Sequence, residues 1–295
     1  MQVFKQREVV MKKILVTGGA GFVGSSLIKK LSSMGVYDIY SLDNYFTGKE
    51  SNHVPGVSYI RGSTQNIENL INFKPDIVFH FGEYSRISTS FDEHEKVWDY
   101  NIDGTFKVLN FCKKNNSKLV YSASSTKFGD GGKNINASPY AFFKSQNVDL
   151  INTYSNWFNL DYAICYFYNV YGPGQIKKGK YATVIGIFED QFLNNESLTV
   201  VKPGTQQRDF THIDDVVNGL FLLMSKGKGD GYCFGTGKSY EINKIAKMFK
   251  NDVKYIPERK GERKNSSINF TKSLELGWKS ENKLEDYIKN FKENI

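Results

Sequence analysis

Cysteine and proline are both scarce in this sequence, and no long apolar run interrupts it. Three cysteines and six prolines occur among 295 residues. Cys112, Cys165 and Cys233 are far apart and odd in number, which argues against a disulfide framework and a zinc site. No window approaches the roughly 18 apolar residues that a membrane span requires. Residues 1–13 are too charged for a signal peptide. We therefore expect a cytoplasmic protein with reduced thiols and no membrane partner.

Histidine is also rare, with four residues in the chain. His80 falls at the end of a predicted strand and His212 in a segment of mixed charge. No cluster of His, Cys, Asp and Glu has the spacing of a metal site, so we predict hydrogen-bonded structural histidines and no metal.

Positive charge is in moderate excess. Lys and Arg number 39 against 31 Asp and Glu, which gives a net charge of +8. The charges are spread along the chain and form no basic stripe, so we predict no nucleic-acid partner. Ordinary surface lysines explain the excess, and one or two arginines that meet a small anionic substrate explain it equally well. Hydrophobic residues make up 40% of the chain, enough for a large core.

Short apolar runs alternate with helical patterns over the first 170 residues. Near-continuous apolar strands of this kind are typical of a parallel sheet covered on both faces. We predict an α/β fold of the Rossmann type, with a doubly wound parallel sheet. The predicted strands are 13–17, 39–42, 57–60, 76–80, 119–122 and 162–167, and the predicted helices are 22–31, 66–73, 93–113 and 140–157.

The regular alternation of strands and helices ends after Asn169. A basic loop at 177–180 then precedes mixed short strands and helices. We predict helices at 213–225 and 241–249. The expected division is a dinucleotide-binding domain over residues 1–169 and a smaller C-terminal α/β substrate lobe over 170–295. Some segments of the lobe are expected to return to the first domain.

A glycine-rich turn follows the first predicted strand and opens the first helix. Gly19 to Gly24 (GAGFVG) matches G-x-G-x-x-G, in which glycines let the backbone approach a pyrophosphate at a helix N-terminus. Asp43 follows Gly24 by 19 residues and ends the second strand, where a carboxylate accepts hydrogen bonds from a ribose diol. That carboxylate also repels a 2′-phosphate. We therefore predict that the cofactor is NAD rather than NADP.

Tyr140 and Lys144 lie four residues apart, on one face of a predicted helix. A phenol is a poor base at neutral pH, but a neighbouring ammonium stabilises its phenolate. A serine-rich run, 122–126, lies at the end of the preceding strand, at the sheet edge where ligands bind in such folds. The pair therefore indicates acid-base chemistry. A half-buried helix face with no catalytic role is the alternative.

Together these segments resemble the extended short-chain dehydrogenase/reductases, and among them the NAD-dependent nucleotide-sugar epimerases and dehydratases. The resemblance covers nearly the whole chain. It rests on the stretches 17–24, 42–44, 101–105, 168–173, 208–216 and 235–237, together with the Tyr140/Lys144 pair.

The resemblance implies roles for individual residues. The implied catalytic residues are Ser124, Tyr140 and Lys144. The implied cofactor-binding residues, besides Tyr140 and Lys144, are Gly18, Gly21, Phe22, Val23, Gly24, Asp43, Asn44, Phe81, Gly82 and Asn101. The implied substrate-binding residues, besides Ser124, are Arg86, Asn169, Val184, Arg208 and Arg259.

The sequence departs from the 4,6-dehydratases of this family at one informative place. Where those enzymes carry an acid shortly after the catalytic Ser or Thr, this chain has Ser125 and Thr126. A hydroxyl is too weak a base to remove a carbon-bound proton unaided. Only 15 residues separate Ser124 from Tyr140, so the loop over the site is short. Arg86 could contact an acid or phosphate of the substrate or could pair with Glu83, and both alternatives stay open.

The resulting prediction is a 4-epimerase of a UDP-hexose or UDP-N-acetylhexosamine, working through a 4-keto intermediate. The enzymatic alternatives are a nucleotide-sugar C4 oxidoreductase and an atypical 4,6-dehydratase. The non-enzymatic alternative is a catalytically silent NAD-binding protein. In related enzymes the helices corresponding to 93–113 and 140–157 pair across a two-fold axis, so a homodimer is expected.

Overall fold

The computed structural model describes residues 11–133, 135–261 and 269–294. Its centre is a seven-stranded sheet in which every neighbouring pair of strands is parallel. The strands of the protein are β1 Lys12–Thr17, β2 Tyr37–Asp43, β3 Ser58–Arg61, β4 Ile77–His80, β5 Lys118–Ser124, β6 Tyr162–Phe167, β7 Leu198–Val201, β8 Gln207–Asp209, β9 Gly229–Phe234, β10 Ser239–Glu241 and β11 Val253–Ile256. The central order is β3-β2-β1-β4-β5-β6-β9, which confirms the predicted Rossmann-type sheet.

Helices cover both faces of this sheet. The α-helices of the described residues, not all of which pack on this sheet, are α1 Phe22–Ser33, α2 Ile67–Leu70, α3 His94–Val97, α4 Gly104–Asn115, α5 Pro139–Phe158, α6 Val184–Leu193, α7 Ile213–Lys226, α8 Ile242–Phe249, α9 Thr271–Glu275 and α10 Leu284–Glu293. No helix in the described ranges combines the length and apolar character needed to cross a membrane.

The apolar first strand shows why helices must cover both faces of the sheet. Ile14 and Val16 face a core cluster that includes residues of α1 and α7, and Leu15 between them faces a cluster built with α4 and α5. Successive side chains of a strand point to opposite faces, so a strand buried on both faces is apolar throughout. All three side chains are fully buried.

The C-terminal half contributes to both parts of the molecule. Strand β9 joins the central sheet beside β6, and α7 packs against α1. The remaining elements surround a separate apolar cluster with members on α6, β7, α8 and α10. Two small sheets lie here, with β8 antiparallel to β10 and β7 parallel to β11. These elements form the second wall of the cavity described below.

Two predicted helices differ from the structure. The stretch 93–113 is one helical path interrupted by a π-helical segment, Trp98–Asp103, between α3 and α4. The stretch 66–73 is α-helical only over the four residues of α2, which follow a 3₁₀ turn that ends at Asn66, and Ile71 is already extended.

Candidate active site

An open cavity of about 460 Å³ lies beyond the carboxyl ends of the central strands. Both halves of the chain line it, including the loops after β1, β2, β4 and β5, the start of α5, the start of α6 and strand β8. Its volume falls in the usual range for small-molecule sites. Most of the site residues predicted from the sequence line this one cavity.

The glycine-rich turn is a close-packed backbone loop. Gly18 has a φ of +71°, and a Cβ there would lie 2.8 Å from the backbone nitrogen of Gly82. A Cβ on Gly24 would lie 2.2 Å from the carbonyl oxygen of Gly18. Gly21 precedes the first residue of α1, whose early N–H groups have no partners within the helix. Gly18, Gly21, Phe22, Val23 and Gly24 all line the cavity, an arrangement that fits a pyrophosphate.

Asp43 stands at the end of β2 beside this turn. Its two carboxylate oxygens accept hydrogen bonds from the backbone nitrogens of Ala20, at 2.9 Å, and Tyr45, at 2.7 Å. Burial raises the pKa of the Asp43 carboxyl, and these N–H groups oppose the rise. Each oxygen keeps a second lone pair for a ribose hydroxyl. With the glycine turn and Asn44, which also lines the cavity, Asp43 fits the adenosine end of NAD.

Asp43 is expected to control the choice of cofactor. Replacing Asp43 by Ala removes the acceptor for a ribose diol and the charge that repels a 2′-phosphate. We expect the affinity for NAD to fall by roughly 10- to 100-fold, because hydrogen bonds to charged groups contribute about 1.5–3 kcal/mol. The preference for NAD over NADP should weaken by a similar factor. Fluorescence titration with both cofactors measures this, and Asp38→Ala, on the same strand, is the matched control. Equal affinities of the parent for NAD and NADP would contradict the role.

A well-capped helix end presents Tyr140 to the cavity. The Oγ of Ser138 accepts a hydrogen bond from the backbone nitrogen of Ala141 at 3.1 Å, and Pro139 occupies the first helical position. Proline is tolerated there because that N–H has no partner within the helix. Tyr140 lines the cavity, and Lys144 follows one turn later on the same side of α5.

Ser124, the last residue of β5, lines the cavity with Tyr140. Its Oγ accepts hydrogen bonds from the backbone nitrogen of Thr126 at 3.2 Å and from the Thr126 hydroxyl at 2.9 Å. Because Ser124 is the acceptor in both, its own hydroxyl hydrogen stays available for a ligand oxygen. The serine is therefore arranged as a donor.

Lys144 lies beneath the cavity wall and does not line the cavity. It is 5% exposed, and its ammonium group donates to a carboxylate oxygen of Glu83 and to the carbonyl oxygen of Ser122, the latter at 2.5 Å. Glu83, on the loop after β4, is itself buried and lines the cavity. The resemblance assigned Lys144 to the cofactor, and here its charge is already balanced by an internal carboxylate. Glu83 was not among the residues assigned from the sequence.

Glu83 is the end point of a buried hydrogen-bond chain. The Thr17 hydroxyl accepts from the backbone nitrogens of Phe81 and Gly82, and it lies 2.7 Å from Nδ1 of His80. The other ring nitrogen of His80 lies 3.0 Å from the Thr105 hydroxyl, which donates to Glu83 at 3.2 Å. With the Thr17 oxygen occupied by two donors, its hydrogen points to Nδ1. We assign His80 as neutral with the proton on Nε2.

Two more donors complete the surroundings of Glu83. The hydroxyl of Tyr121, at 2.9 Å, and the side-chain amide of Asn147, at 3.1 Å, both donate to it. Burial raises the pKa of Glu83, and the Lys144 ammonium opposes that rise. Four donor groups around one carboxyl favour its ionised form.

Asn101 is the second assigned residue that does not line the cavity. The π-helical segment turns its fully buried side chain toward the loop after β4. Its Oδ1 accepts from the backbone nitrogen of Tyr84 at 2.7 Å, and its Nδ2 donates to the carbonyl oxygen of Tyr84 at 3.0 Å. Asn101 therefore braces the loop that carries Glu83.

The residues assigned to the substrate all line the cavity. Asn169 has a φ of +33°, and its amide donates to the carbonyl oxygen of Asp209 at 2.6 Å. Val184 begins α6, and Arg208 lies on β8. Arg259 follows β11 and is exposed. Phe81 and Gly82 line the cavity from the first domain.

Arg86 also lines the cavity, and it does not pair with Glu83. Its Nε donates to the carbonyl oxygen of Tyr181 at 2.5 Å and its Nη1 to that of Ser85 at 2.7 Å. The alternative of an Arg86–Glu83 ion pair is therefore wrong, because the Lys144 ammonium occupies the carboxylate. Among the described residues, no group of three or more His, Cys, Asp and Glu could hold a metal ion.

Known proteins resemble this chain over nearly its whole length. The model of the NAD-dependent epimerase/dehydratase family matches residues 14–235. A Methanocaldococcus jannaschii protein named, provisionally, as a UDP-glucose 4-epimerase is 32% identical over 94% of this chain and 96% of its own. UDP-glucuronic acid decarboxylase 5 of Arabidopsis thaliana is 26% identical over 96% of this chain and 89% of its own.

A solved structure agrees with this. The crystal structure of UDP-glucose 4-epimerase from Thermotoga maritima, with UDP-glucose, has a TM-score of 0.88 and 28% identity and covers 96% of this chain and 99% of that one. The fold matches what the resemblance implied. The chain belongs to the NAD-dependent epimerase/dehydratase family.

Proposed function

We propose that this protein is an NAD-dependent 4-epimerase of a UDP-hexose or UDP-N-acetylhexosamine. The observation that carries the proposal is that Ser124 and Tyr140 line the same cavity, with hydroxyl side chains at 125 and 126 where dehydratases carry an acid. The Thr126 hydroxyl donates a hydrogen bond to the Oγ of Ser124 and so helps to hold the serine side chain in place. Epimerisation at C4 needs only these groups and a hydride carrier.

In the proposed reaction, NAD when bound supplies the site that accepts and returns hydride. Tyr140 takes the proton of the C4 hydroxyl, which becomes a ketone, and gives it back when the opposite face is reduced. Ser124 donates a hydrogen bond to the same oxygen and keeps it next to Tyr140. Lys144 adds positive charge behind the phenol, balanced by Glu83.

The second face is reached by rotation of the sugar. Arginine guanidinium groups match phosphate oxygens in geometry, and we assign the diphosphate to Arg208 and Arg259. Anchoring through the diphosphate leaves the hexose free to turn within the cavity. The choice of uridine rests on relatives whose names specify UDP-sugars.

The test is to incubate the NAD-loaded protein with UDP-glucose, UDP-galactose and their N-acetyl forms in D₂O. The expected product has unchanged mass and carries no solvent deuterium on carbon, because the C4 hydrogen returns as hydride. Loss of water with deuterium at C5 would replace the proposal by dehydration. Loss of CO₂ from a uronic acid would replace it by decarboxylation. An accumulating oxidised sugar would indicate a simple oxidoreductase.

We also propose a homodimer built on α4 and α5. Apolar side chains remain exposed on or beside these helices, namely Trp98, Phe106, Phe142, Trp157 and Phe158, with exposures of 39–65%. An apolar surface of this extent is typical of an interface.

The expected mass by light scattering at micromolar concentration is twice that of the 33.7 kDa chain. Phe106→Glu should shift the mass toward the monomer, because a carboxylate would be buried without a partner. Leu193→Glu alters a comparably exposed apolar residue at the end of α6 and is the matched control. A parent monomer at that concentration would contradict the dimer.

A further inference from the structure

Two charged side chains of the cavity lining form ion pairs within the protein. Glu83 is balanced by Lys144, and Lys180 forms an ion pair with Glu93 at 2.8 Å. Arg86 differs from them. No Asp or Glu oxygen of the described chain lies within 4.0 Å of its side-chain nitrogens. It is a cation of the cavity wall without a protein carboxylate; Arg259 and Lys260, which have none among the described residues either, are exposed, whereas Arg86 is partly buried.

Backbone acceptors hold the guanidinium in a fixed orientation. Nε of Arg86 donates to the Tyr181 carbonyl, and Nη1 donates to the Ser85 carbonyl and, at 3.4 Å, to the Ser85 hydroxyl. The Tyr181 segment is itself fixed, because the tyrosine hydroxyl lies 2.8 Å from one oxygen of Glu93 and 3.1 Å from the other. Glu93 also accepts from the Tyr84 hydroxyl at 2.7 Å. These bonds use Nε and Nη1 and leave Nη2 for a ligand.

An oriented cation without an anion is unfavourable in a partly buried position. Burial lowers the pKa of the Arg86 guanidinium, which shows that its surroundings solvate the charge poorly. An anionic group on a ligand would relieve that cost and gain a charge-assisted hydrogen bond. Carbonyl oxygens alone do not supply the missing charge.

The position of Arg86 selects the sugar end of the cavity. Arg86 follows β4, the neighbour of β5 that carries Ser124, and its charge interacts with the Tyr140 phenol. Arg208 and Arg259, which we assign to the diphosphate, come from the C-terminal half of the chain. Arg86 is thus placed beside the reacting part of the substrate.

We propose that Arg86 binds a carboxylate carried by the sugar, so that the natural substrate is the UDP derivative of an acidic sugar. This inference rests on the proposed function and narrows its substrate class. The carboxylate could be C6 of a uronic acid or part of an ether-linked acid such as a lactyl group. Both present the same two oxygens to the guanidinium.

The experiment measures dissociation constants of the NAD-loaded protein for matched pairs of ligands. UDP-glucuronic acid is compared with UDP-glucose, and UDP-N-acetylmuramic acid with UDP-N-acetylglucosamine. The parent should bind at least one acid on the order of 100-fold more tightly than its neutral partner, as expected for hydrogen bonds to a charged group. The pair that shows the preference identifies where the carboxylate lies.

Two variants locate the effect. Arg86→Gln should abolish the preference for the acid and change the dissociation constant of the neutral ligand by less than about threefold. Arg86→Lys keeps the positive charge and should restore part of the preference, but not all of it, because an ammonium lacks the planar fork. Arg208→Gln is the control and should weaken both members of a pair equally. Equal binding of acid and neutral sugar by the parent, or equal loss of both in Arg86→Gln, would overturn the inference. The dissociation constants report binding and do not depend on which reaction follows, so a reaction other than epimerisation leaves this result intact.

Discussion

Tyr140→Phe is expected to lower turnover by about 10³-fold, within the range that positioned acid-base groups contribute. The phenol oxygen is the group at the cavity wall that receives the C4 hydroxyl proton in the proposed reaction. Phenylalanine keeps the ring and the packing of the first turn of α5 but has no oxygen. The substrate should still bind, because the arginines assigned to its diphosphate are unchanged.

The measurement is the rate of epimer formation at saturating UDP-sugar, with bound NAD quantified in parent and variant. Tyr154→Phe is the matched control. It removes a phenol oxygen from the same helix, where the hydroxyl donates to Asn110 at 2.7 Å, away from the cavity. We expect it to keep at least half of the parent activity. If Tyr140→Phe retained more than a tenth of the parent rate, the proton would have another acceptor.

Glu83→Ala is expected to cost about 3–5 kcal/mol in the free energy of unfolding, as when one partner of a buried ion pair is removed. Lys144 would remain as a charged group with 5% exposure, and the carbonyl oxygen of Ser122 would be its remaining hydrogen-bond acceptor. The hydroxyl of Tyr121 and the amide of Asn147 would lose an acceptor as well. Urea unfolding of the purified protein measures the loss.

Two further variants separate charge from packing. Glu285→Ala breaks an ion pair whose Lys238 partner is 62% exposed, and it should cost at most about 1 kcal/mol. The double replacement of Glu83 by Leu and Lys144 by Met removes both buried charges and should be more stable than Glu83→Ala, although inactive. A loss below 1 kcal/mol in Glu83→Ala would show that Lys144 finds other compensation.

The central sheet and its phosphate-binding turn were predictable because they follow from local patterns. Strand 162–167 agrees with β6 at both ends, and the apolar run at 13–17 differs from β1 by one residue. Capping chemistry explains the start of α5, where Ser138 and Pro139 precede Tyr140. Periodicity and caps act within a few residues of sequence, so they are visible without the fold.

Two helix predictions were wrong in detail for physical reasons that lie outside periodicity. The predicted helix 66–73 stops at Leu70, and the chain then runs extended toward Pro75, which disfavours helical geometry in the residue before it. The path 93–113 contains a π-helical segment, and within it Asn101 forms two hydrogen bonds with the backbone of Tyr84. The periodic pattern encodes neither the effect of a proline nor a contact between distant residues.

The internal partner of Lys144 was not predictable from local sequence. Glu83 lies 61 residues away, and the two meet only because β4 and β5 are neighbours and α5 covers them. The sequence analysis considered only Arg86 as a protein partner of Glu83, and the structure gives that place to Lys144.

The neutral imidazole of His80 makes the fold sensitive to acid. Desolvation lowers its pKa from 6.5 to about 3, whereas in the unfolded chain it takes up a proton near pH 6.5. Below that pH the unfolded state holds one more proton. His80 therefore lowers the free energy of unfolding by about 1.4 kcal/mol per pH unit as the pH falls from 6.5 toward 3, and it has no such effect above 6.5.

Comparing the parent with His80→Asn by urea unfolding isolates this proton, since other titrating groups are shared. From about pH 6.5 to about pH 5 the parent should lose roughly 2 kcal/mol more than the variant. Parallel pH curves would mean that the ring is protonated in the fold. A hydrogen-bond chain that orders the active-site loop thus also makes the protein less stable in mild acid, so acidification to about pH 5 is expected to weaken the fold around that loop.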